Sequence, residues 1–253
     1  MDPIETVIRS NFENIQERMF QAALSCGRDA GQIKLVVVSK FHSVQVIQAA
    51  YQAGAHLFGE NYPEESVSKI LALKNLPGIE WHMIGHVQSR KAHMVAEYFN
   101  IMESLDSIRL AEKLERYLDG IQKILPVLLE FNVSGEESKF GWPAWQQDRW
   151  EDLLPDISAL LRLPHLKVAG LMTMPPLLEN PNDVRSYFAK LNALRNFLAH
   201  HFQDNDWEEL SMGTSSDFEV AIQEGATIVR VGQAILGQRP EKSQSNIQTD
   251  EGV

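Results

Sequence analysis

Residues 33–40 read IKLVVVSK, a short apolar and β-branched run that stops at a serine and a lysine. A run of this length is typical of a β-strand that is buried on both faces. Similar runs recur along the chain, and a stretch with helical periodicity follows each of them. The full set is 33–40, 56–61, 81–85, 100–106, 126–133, 167–174, 209–213 and 228–232. The alternation predicts repeated strand–helix units of the α/β class.

Two architectures bury parallel strands on both faces, namely a closed TIM-type (β/α)8 barrel and an open doubly wound sheet. The number of strands favours the barrel. An extra helix is predicted before the first strand, over residues 4–26, and its apolar stripe would pack on one end or flank of the barrel. The stripe comprises Ile4, Ile8, Phe12, Ile15, Met19, Ala22 and Ala23.

The composition is that of a globular protein, with 253 residues of which 44% are hydrophobic. Barrels of this class reach about 250 residues as one domain. Because no linker or composition shift divides the chain, we expect one barrel domain over residues 1–240. Residues 241–253 (EKSQSNIQTDEGV) have no apolar periodicity, and we expect a disordered tail there.

Charge and residue usage exclude several classes of partner. The formal charge of −11, from 34 acidic and 23 basic residues, disfavours binding to nucleic acid or to anionic membranes. The single cysteine, Cys26, cannot form an intramolecular disulfide, and no spacing resembles a metal site. Without a signal peptide or an apolar run of membrane-spanning length, the sequence predicts a cytoplasmic protein.

Lys40 directly follows the first predicted strand. Active sites of (β/α)8 barrels form at the carboxyl ends of the strands, so this amine would lie at the mouth. Desolvation favours the neutral amine, which can attack an aldehyde to form a Schiff base. The simpler interpretation is a solvated lysine at the end of a strand.

The last two predicted strands are followed by glycines and hydroxyl side chains, in residues 210–217 (LSMGTSSD) and 230–233 (RVGQ). Barrels often bind phosphate in these two loops, where glycine lets the backbone approach and hydroxyls donate hydrogen bonds. The candidates are Gly213, Thr214, Ser215, Ser216 and Gly232, which Gln233 directly follows. The alternative is helix capping by Ser215 or Ser216, with Glu219 completing a capping box.

Arg230 lies inside an apolar run, which directs a permanent cation toward the barrel axis or the mouth. A buried guanidinium needs a partner, and an acidic residue, a ring nitrogen or a phosphate would serve. Met83, Met172, Thr173 and Met174 near other strand ends would form an adaptable apolar wall or simply pack.

Other polar residues give weaker signals. His82, His86 and His93 have no acidic residue at metal-ligand spacing, so the sequence predicts polar or packing histidines and no metal site. Asp106, Glu60 and Asn61 end predicted strands and would line the mouth.

The order of these motifs resembles the pyridoxal 5'-phosphate (PLP) homeostasis protein family, which has the fold of the alanine racemase N-terminal barrel. The resemblance covers about residues 33–237. It is carried by VVVSK at 36–40, FGENY at 58–62, WHMIGHVQSRK at 81–91, NVSGEESKFG at 132–141, GLMTM at 170–174, SMGTSSDFEVAIQEGATIVRVGQAILG at 211–237, and the pair Ser104 and Asp106.

The resemblance implies that Lys40 holds the PLP aldehyde as a Schiff base and that Arg230 faces the pyridine nitrogen. It implies that Ser215, Gly232 and the loops between them hold the phosphate, with Ser211 near the phosphate end. Asn61 and Met172 would lie close to the ring. An arginine donates a hydrogen bond to the ring nitrogen without protonating it, so the ring is a poor electron sink.

Three functions fit these residues. The resemblance favours a monomeric, non-catalytic protein that binds PLP, maintains vitamin B6 balance and supplies PLP-dependent apo-enzymes. A PLP-dependent enzyme such as an amino-acid racemase shares the barrel. It needs a second acid or base on the face opposite the lysine. Alanine racemase also carries an additional domain for which this chain has no room. A Schiff-base aldolase would use Lys40 and the phosphate site without a cofactor.

Overall fold

The computed structural model describes residues 3–238, and within them eight parallel strands close into a barrel. The barrel strands are β1 (Lys34–Val38), β2 (Leu57–Glu60), β3 (Glu80–Met83), β4 (Ile101–Leu105), β5 (Leu125–Asn132), β7 (Leu166–Met172), β8 (Glu209–Ser211) and β9 (Ile228–Val231). Their order is β4-β3-β2-β1-β9-β8-β7-β5, and pairing of β4 with β5 closes the ring. The TIM-type barrel is confirmed, and the open sheet is wrong.

Helices surround the barrel and connect its strands. They are α1 (Pro3–Ser25), α2 (Val44–Gln52), α3 (Pro63–Leu73), α4 (Ala92–Tyr98), α5 (Ile108–Ile121), α6 (Leu154–Leu160), α7 (Arg185–His201), α8 (Phe218–Gln223) and α9 (Gln233–Leu236). Short 3₁₀ segments cover Ala30–Gln32, Ser89–Lys91, Gln147–Leu153 and Pro181–Val184. A two-residue strand, β6 (Trp142–Pro143), pairs with β5 outside the ring and was not predicted.

The barrel separates the apolar residues into two clusters, which explains the continuous apolar runs of its strands. Val36 belongs to a small cluster with Leu128, Met172 and Ile228, inside the barrel. Its neighbour Val37 belongs to the large cluster that the strands form with the helices. Because successive side chains of a strand point to opposite faces, both faces of β1 need apolar residues.

Helix α1 packs on the flank of the barrel, against α2, α8 and α9. The predicted stripe is buried except at its first residue, because Ile4 is 51% exposed. Arg18 forms an ion pair with Glu219 of α8, with a nitrogen–oxygen distance of 2.6 Å. Arg28, just after α1, donates hydrogen bonds to the carbonyls of Ile222 (2.7 Å) and Ala226 (2.8 Å). These contacts fix α1 to α8 and to the turn that leads into β9.

No helix within residues 3–238 is long and apolar enough to cross a membrane. The predicted disordered tail, residues 241–253, lies outside the described residues, as do residues 239 and 240 at the end of the predicted domain.

The packing of α1 makes a testable prediction. Phe12 is 4% exposed and Phe20, on the same helix, is 49% exposed. We expect Phe12→Ala to lower the free energy of unfolding by about 3–5 kcal/mol, because it leaves a cavity beneath the helix. Phe20→Ala should lower it by less than about 1 kcal/mol. Urea unfolding followed by circular dichroism measures both values, and equal losses would contradict this placement of α1.

Candidate functional site

The predicted site residues lie on five strands that are consecutive around the ring, β7, β8, β9, β1 and β2. Each lies in the carboxyl-terminal part of its strand or in the loop that follows. Met172 ends β7, Ser211 ends β8 before Gly213, Thr214 and Ser215, Arg230 is in β9 before Gly232 and Gln233, Lys40 follows β1, and Asn61 follows β2. The fold therefore gathers residues from the whole length of the sequence at one side of the barrel mouth.

Lys40 is half-buried in a tight turn two residues beyond β1. The next residue, Phe41, has a positive φ of 66°, and its N–H donates to Glu65 Oε1 at 2.9 Å. Gly232 lies against the end of β1, because a Cβ added to it would be 3.0 Å from the Val38 carbonyl oxygen. The end of β9 thus closely approaches the strand that presents Lys40.

Glu60 was expected at the mouth, and the structure corrects this. Its buried carboxylate accepts hydrogen bonds from Ser39 Oγ at 2.7 Å and from Lys69 Nζ, on α3, at 3.0 Å. Burial raises the pKa of Glu60, although Lys69 and Ser39 oppose the shift. This carboxylate joins β1 and β2 to α3 because the side chain points to the helix layer. Its neighbour Asn61 is half-buried, and its Oδ1 has no hydrogen-bond partner among the described residues.

The loop after β8 is closed by Asp217, which the sequence analysis did not single out. Its carboxylate accepts hydrogen bonds from the Thr214 N–H at 2.6 Å and from the Thr214 hydroxyl at 3.1 Å. Gly213 has a φ of 93°, and a Cβ there would lie 2.5 Å from Ala221 Cβ, so the loop requires glycine. Ser215 is half-buried beside this turn.

The capping alternative for this loop is wrong. Helix α8 begins at Phe218, and its N-cap residue is Asp217, which makes no side-chain capping bond within the described structure. Glu219 does not complete a capping box, because its carboxylate pairs with Arg18. Neither Ser215 nor Ser216 is therefore the N-cap residue of this helix.

Arg230 is 3% exposed and lies inside the barrel. Its Nη1 donates to Ser211 Oγ, and its Nη2 donates to the Thr173 carbonyl and to Met174 Sδ, both at 2.9 Å. The carboxylate of Glu103, on β4, lies 3.7 Å from Nη1. The sequence left an acidic residue, a ring nitrogen or a phosphate open as the partner of this guanidinium, and the structure shows the acidic residue Glu103. Burial lowers the pKa of Arg230, and Glu103 opposes that shift.

Ser211 ends β8, and its side chain lies inside the barrel. Its buried hydroxyl accepts from Arg230 and donates to Glu103 Oε2. The position near the phosphate end, which the resemblance implies, stays a prediction.

His82 has an acidic partner that sequence spacing did not indicate. Its Nδ1 is 2.6 Å from Glu103 Oε1, and both side chains are buried. Burial opposes ionisation of Glu103, but hydrogen bonds and charges from His82, Arg230 and Ser211 outweigh it and lower the pKa of this carboxyl. His82 Nε2 has no hydrogen-bond partner within residues 3–238. The strands place His82, Glu103, Ser211 and Arg230 in one buried polar chain.

Glu130, on β5, is a further buried acid that the sequence analysis missed. It is 7% exposed, and its Oε2 has no partner in the described part of the chain. Burial, with a smaller contribution from Asp106, raises the pKa of Glu130 from 4.5 to about 7. A signal was available, because Glu130 interrupts the apolar run 126–133 in the same way that Arg230 interrupts its own strand.

The other histidines also find partners. His86 Nδ1 is 2.6 Å from Asp106 Oδ2, and its ring stacks on Phe140 with centroids 3.8 Å apart. His93 Nδ1 lies 3.1 Å from the Arg90 carbonyl oxygen. Within the described residues, no group of three or more histidine, cysteine or acidic side chains could hold a metal ion.

The apolar wall expected from methionines is partly wrong. Met83 packs in the outer cluster with the helices, and the Thr173 hydroxyl donates to the Phe131 carbonyl at 2.7 Å. Met172 is fully buried inside the barrel, and Met174 is partly exposed beside Arg230.

Comparison with known proteins defines the class of this barrel. Residues 8–240 match the family described as alanine racemase, N-terminal domain. An alanine racemase structure from Clostridium difficile 630 has a TM-score of 0.65 over 94% of this chain and 57% of that chain. At 14% identity, this likeness concerns the fold alone.

More similar relatives specify the family. A pyridoxal phosphate homeostasis protein of Aquifex aeolicus (strain VF5) is 41% identical over 89% of this chain and 95% of the relative. One from Pasteurella multocida (strain Pm70) is 39% identical over 92% and 97%. The structure of PipY from Synechococcus elongatus PCC7942 with PLP bound is 33% identical, with a TM-score of 0.76 over 88% of this chain and 100% of PipY. The chain belongs to the pyridoxal phosphate homeostasis protein family.

The environment of Glu130 predicts how stability depends on pH. Between about pH 4.5 and 7 the unfolded chain releases the Glu130 proton and the folded chain keeps it, so this group makes the protein less stable as the pH rises. Glu130→Gln removes this dependence. We subtract the unfolding free energy of the wild type from that of the variant at each pH. This difference should be larger at pH 8 than at pH 5 by up to about 3 kcal/mol.

Urea unfolding at both pH values measures the effect. Glu137→Gln, which changes an exposed carboxylate after the same strand, is the control and should show the same offset at both pH values. An equal offset for Glu130→Gln at pH 5 and pH 8 would show that the Glu130 carboxyl ionises normally in the folded protein.

Proposed function

We propose that this protein binds PLP at the barrel mouth, with the Lys40 amine as covalent anchor of the cofactor aldehyde. The observation that carries the proposal is that β8, β9 and β1 are neighbours in the ring. Lys40 therefore lies on the same side of the mouth as the buried guanidinium of Arg230 and the hydroxyls of the loop after β8. These are the three groups that an aldehyde, a pyridine nitrogen and a phosphate require. The PLP-bound structure of PipY supports the assignment.

The proposed contacts follow from the positions of the side chains. Gly213, Thr214, Ser215, Gly232 and Gln233 would surround the phosphate, since they form the two loops after β8 and β9. Asn61, whose Oδ1 lacks a partner, and Met172 would lie beside the ring. Ser211 would lie between Arg230 and the phosphate end, because its hydroxyl is bonded to Arg230 and it precedes the Gly213 loop along the chain.

We further propose that the protein carries PLP without catalysing a reaction of its own. Arg230 remains protonated beside Glu103, so it would donate a hydrogen bond to the ring nitrogen without transferring a proton. A ring held in this way withdraws little electron density from a bound substrate. The aldehyde of PLP condenses reversibly with amines, and the protein would store the cofactor in this reversibly bound form.

In this proposal the protein acts as a cytoplasmic monomer that stores PLP and supplies it to PLP-dependent apo-enzymes. The names of the curated relatives support a role in PLP homeostasis. We place nucleic acids and membranes outside its partners because the chain carries a formal charge of −11.

The anchor is tested by removing the amine. Purified protein supplemented with PLP should absorb in the visible region, and borohydride reduction should leave a pyridoxyl group on the peptide that contains Lys40. Lys40→Ala should lose this adduct because the variant lacks the amine that forms it. Mass spectrometry of the digested protein measures both results.

Lys34→Ala is the matched control, because Lys34 lies at the opposite end of β1 and pairs with Glu209. It should retain the adduct. A wild-type protein without any adduct would contradict PLP binding and would favour an aldolase that uses Lys40 directly. Formation of D-alanine from L-alanine by the PLP-loaded protein would contradict the non-catalytic role and favour a racemase.

The phosphate loop is tested with a pair of ligands. We expect Ser215→Ala to weaken PLP binding by about three- to tenfold, because a hydroxyl–phosphate hydrogen bond is lost. Binding of pyridoxal, which lacks the phosphate, should change less than twofold. Fluorescence titration gives both dissociation constants, and equal weakening of the two ligands would place Ser215 away from the phosphate.

A further inference from the structure

We propose that Glu103 is a positioning residue, which holds the guanidinium of Arg230 in the orientation that receives the pyridine nitrogen. This inference rests on the proposed function, because it concerns how the protein holds PLP. Glu103 would act through Arg230 without contacting the cofactor itself.

The first argument is topological. In the ring, β4 and β9 are separated by three strands in either direction, so Glu103 and Arg230 project from opposite walls of the barrel. Their side chains nevertheless meet at the axis, where Glu103 Oε2 is 3.7 Å from Arg230 Nη1. Ser211, from β8, links them by accepting from Arg230 and donating to Glu103. The guanidinium is therefore held from both sides of the barrel.

The second argument concerns the flexibility and charge of arginine. An arginine side chain has several rotatable bonds, and a buried guanidinium without a countercharge is strongly destabilising. Glu103 supplies the countercharge, and His82 holds the other oxygen of that carboxylate at 2.6 Å. The same interactions keep the pKa of Glu103 low, so the carboxylate remains ionised. A charged, doubly held carboxylate can fix the plane of the guanidinium.

The third argument distinguishes Glu103 from Glu130, another buried acid on a barrel strand. Glu130 also acts electrostatically on Arg230, but its Oε2 has no partner among the described residues and burial raises its pKa to about 7. A carboxyl that is partly protonated near neutral pH is a poor fixed countercharge. The geometry therefore assigns the positioning role to Glu103.

The test compares PLP with its 1-deaza analogue, in which a C–H group replaces the ring nitrogen. If Glu103 orients Arg230 toward this nitrogen, its effect requires the nitrogen. We expect Glu103→Gln to weaken PLP binding about tenfold and to weaken binding of the 1-deaza analogue less than threefold. Dissociation constants are measured by absorption titration of protein freed of PLP.

The matched control is Glu115→Gln. Glu115 is also paired with a histidine, since its Oε1 is 2.7 Å from His165 Nδ1, but His165 directly precedes β7 at the amino end of the barrel. This variant should bind both ligands as the wild type does. Ser211→Ala is the second variant, because it removes the linking hydroxyl and keeps the carboxylate, and it should also weaken PLP more than the analogue.

The outcomes separate this inference from the proposed function. A wild-type protein that binds neither ligand would overturn PLP binding itself. If the wild type binds PLP, equal weakening of both ligands by Glu103→Gln, or no weakening, would overturn the positioning role. Should Glu103→Gln fail to fold, the Ser211→Ala result decides, and equal effects on the two ligands would overturn the inference.

Discussion

The rest of the structure depends on the neutralisation of Arg230 inside the barrel. A guanidinium that is 3% exposed is strongly destabilising unless an anion and hydrogen-bond acceptors surround it. Glu103 supplies the anion, while Ser211, Thr173 and Met174 supply the acceptors. These groups come from three strands, β4, β8 and β9, and from the residues directly after β7. The interaction can therefore form only when the ring has closed, which couples the site to the complete fold.

The second constraint is the adjacency of the first and last strands. Pairing of β1 with β9 brings Lys40, near the start of the chain, close to Arg230 and to the proposed phosphate loop near its end. The two halves of the site thus lie far apart in sequence and close together in the barrel. Helix α1 reinforces this closure, because Arg18 and Arg28 connect it and the residues after it to α8 and to the turn that leads into β9.

Much of the fold could be predicted because parallel strands buried on both faces leave a local signal. Runs such as 33–40 and 126–133 contain strands of the structure, and their order indicated the barrel. Residues at strand ends, such as Lys40 and Asn61, could be proposed as site residues because the barrel mouth is formed there. Whether Lys40 holds PLP remains a prediction.

The partners within the barrel could not be predicted from spacing. Glu103 meets His82 and Arg230 only because their strands curve around one axis, and sequence separations of 21 and 127 residues give no indication of this. The same reason explains why His86 meets Asp106 and why Glu219 pairs with Arg18 and caps no helix.

The most direct measurement of the central claim is a crystal structure of the protein grown with PLP. The account predicts continuous electron density from Lys40 to the cofactor, the ring nitrogen within hydrogen-bonding distance of Arg230, and the phosphate beside Ser215. PLP bound at another lysine, or with its phosphate against Arg230, would contradict it.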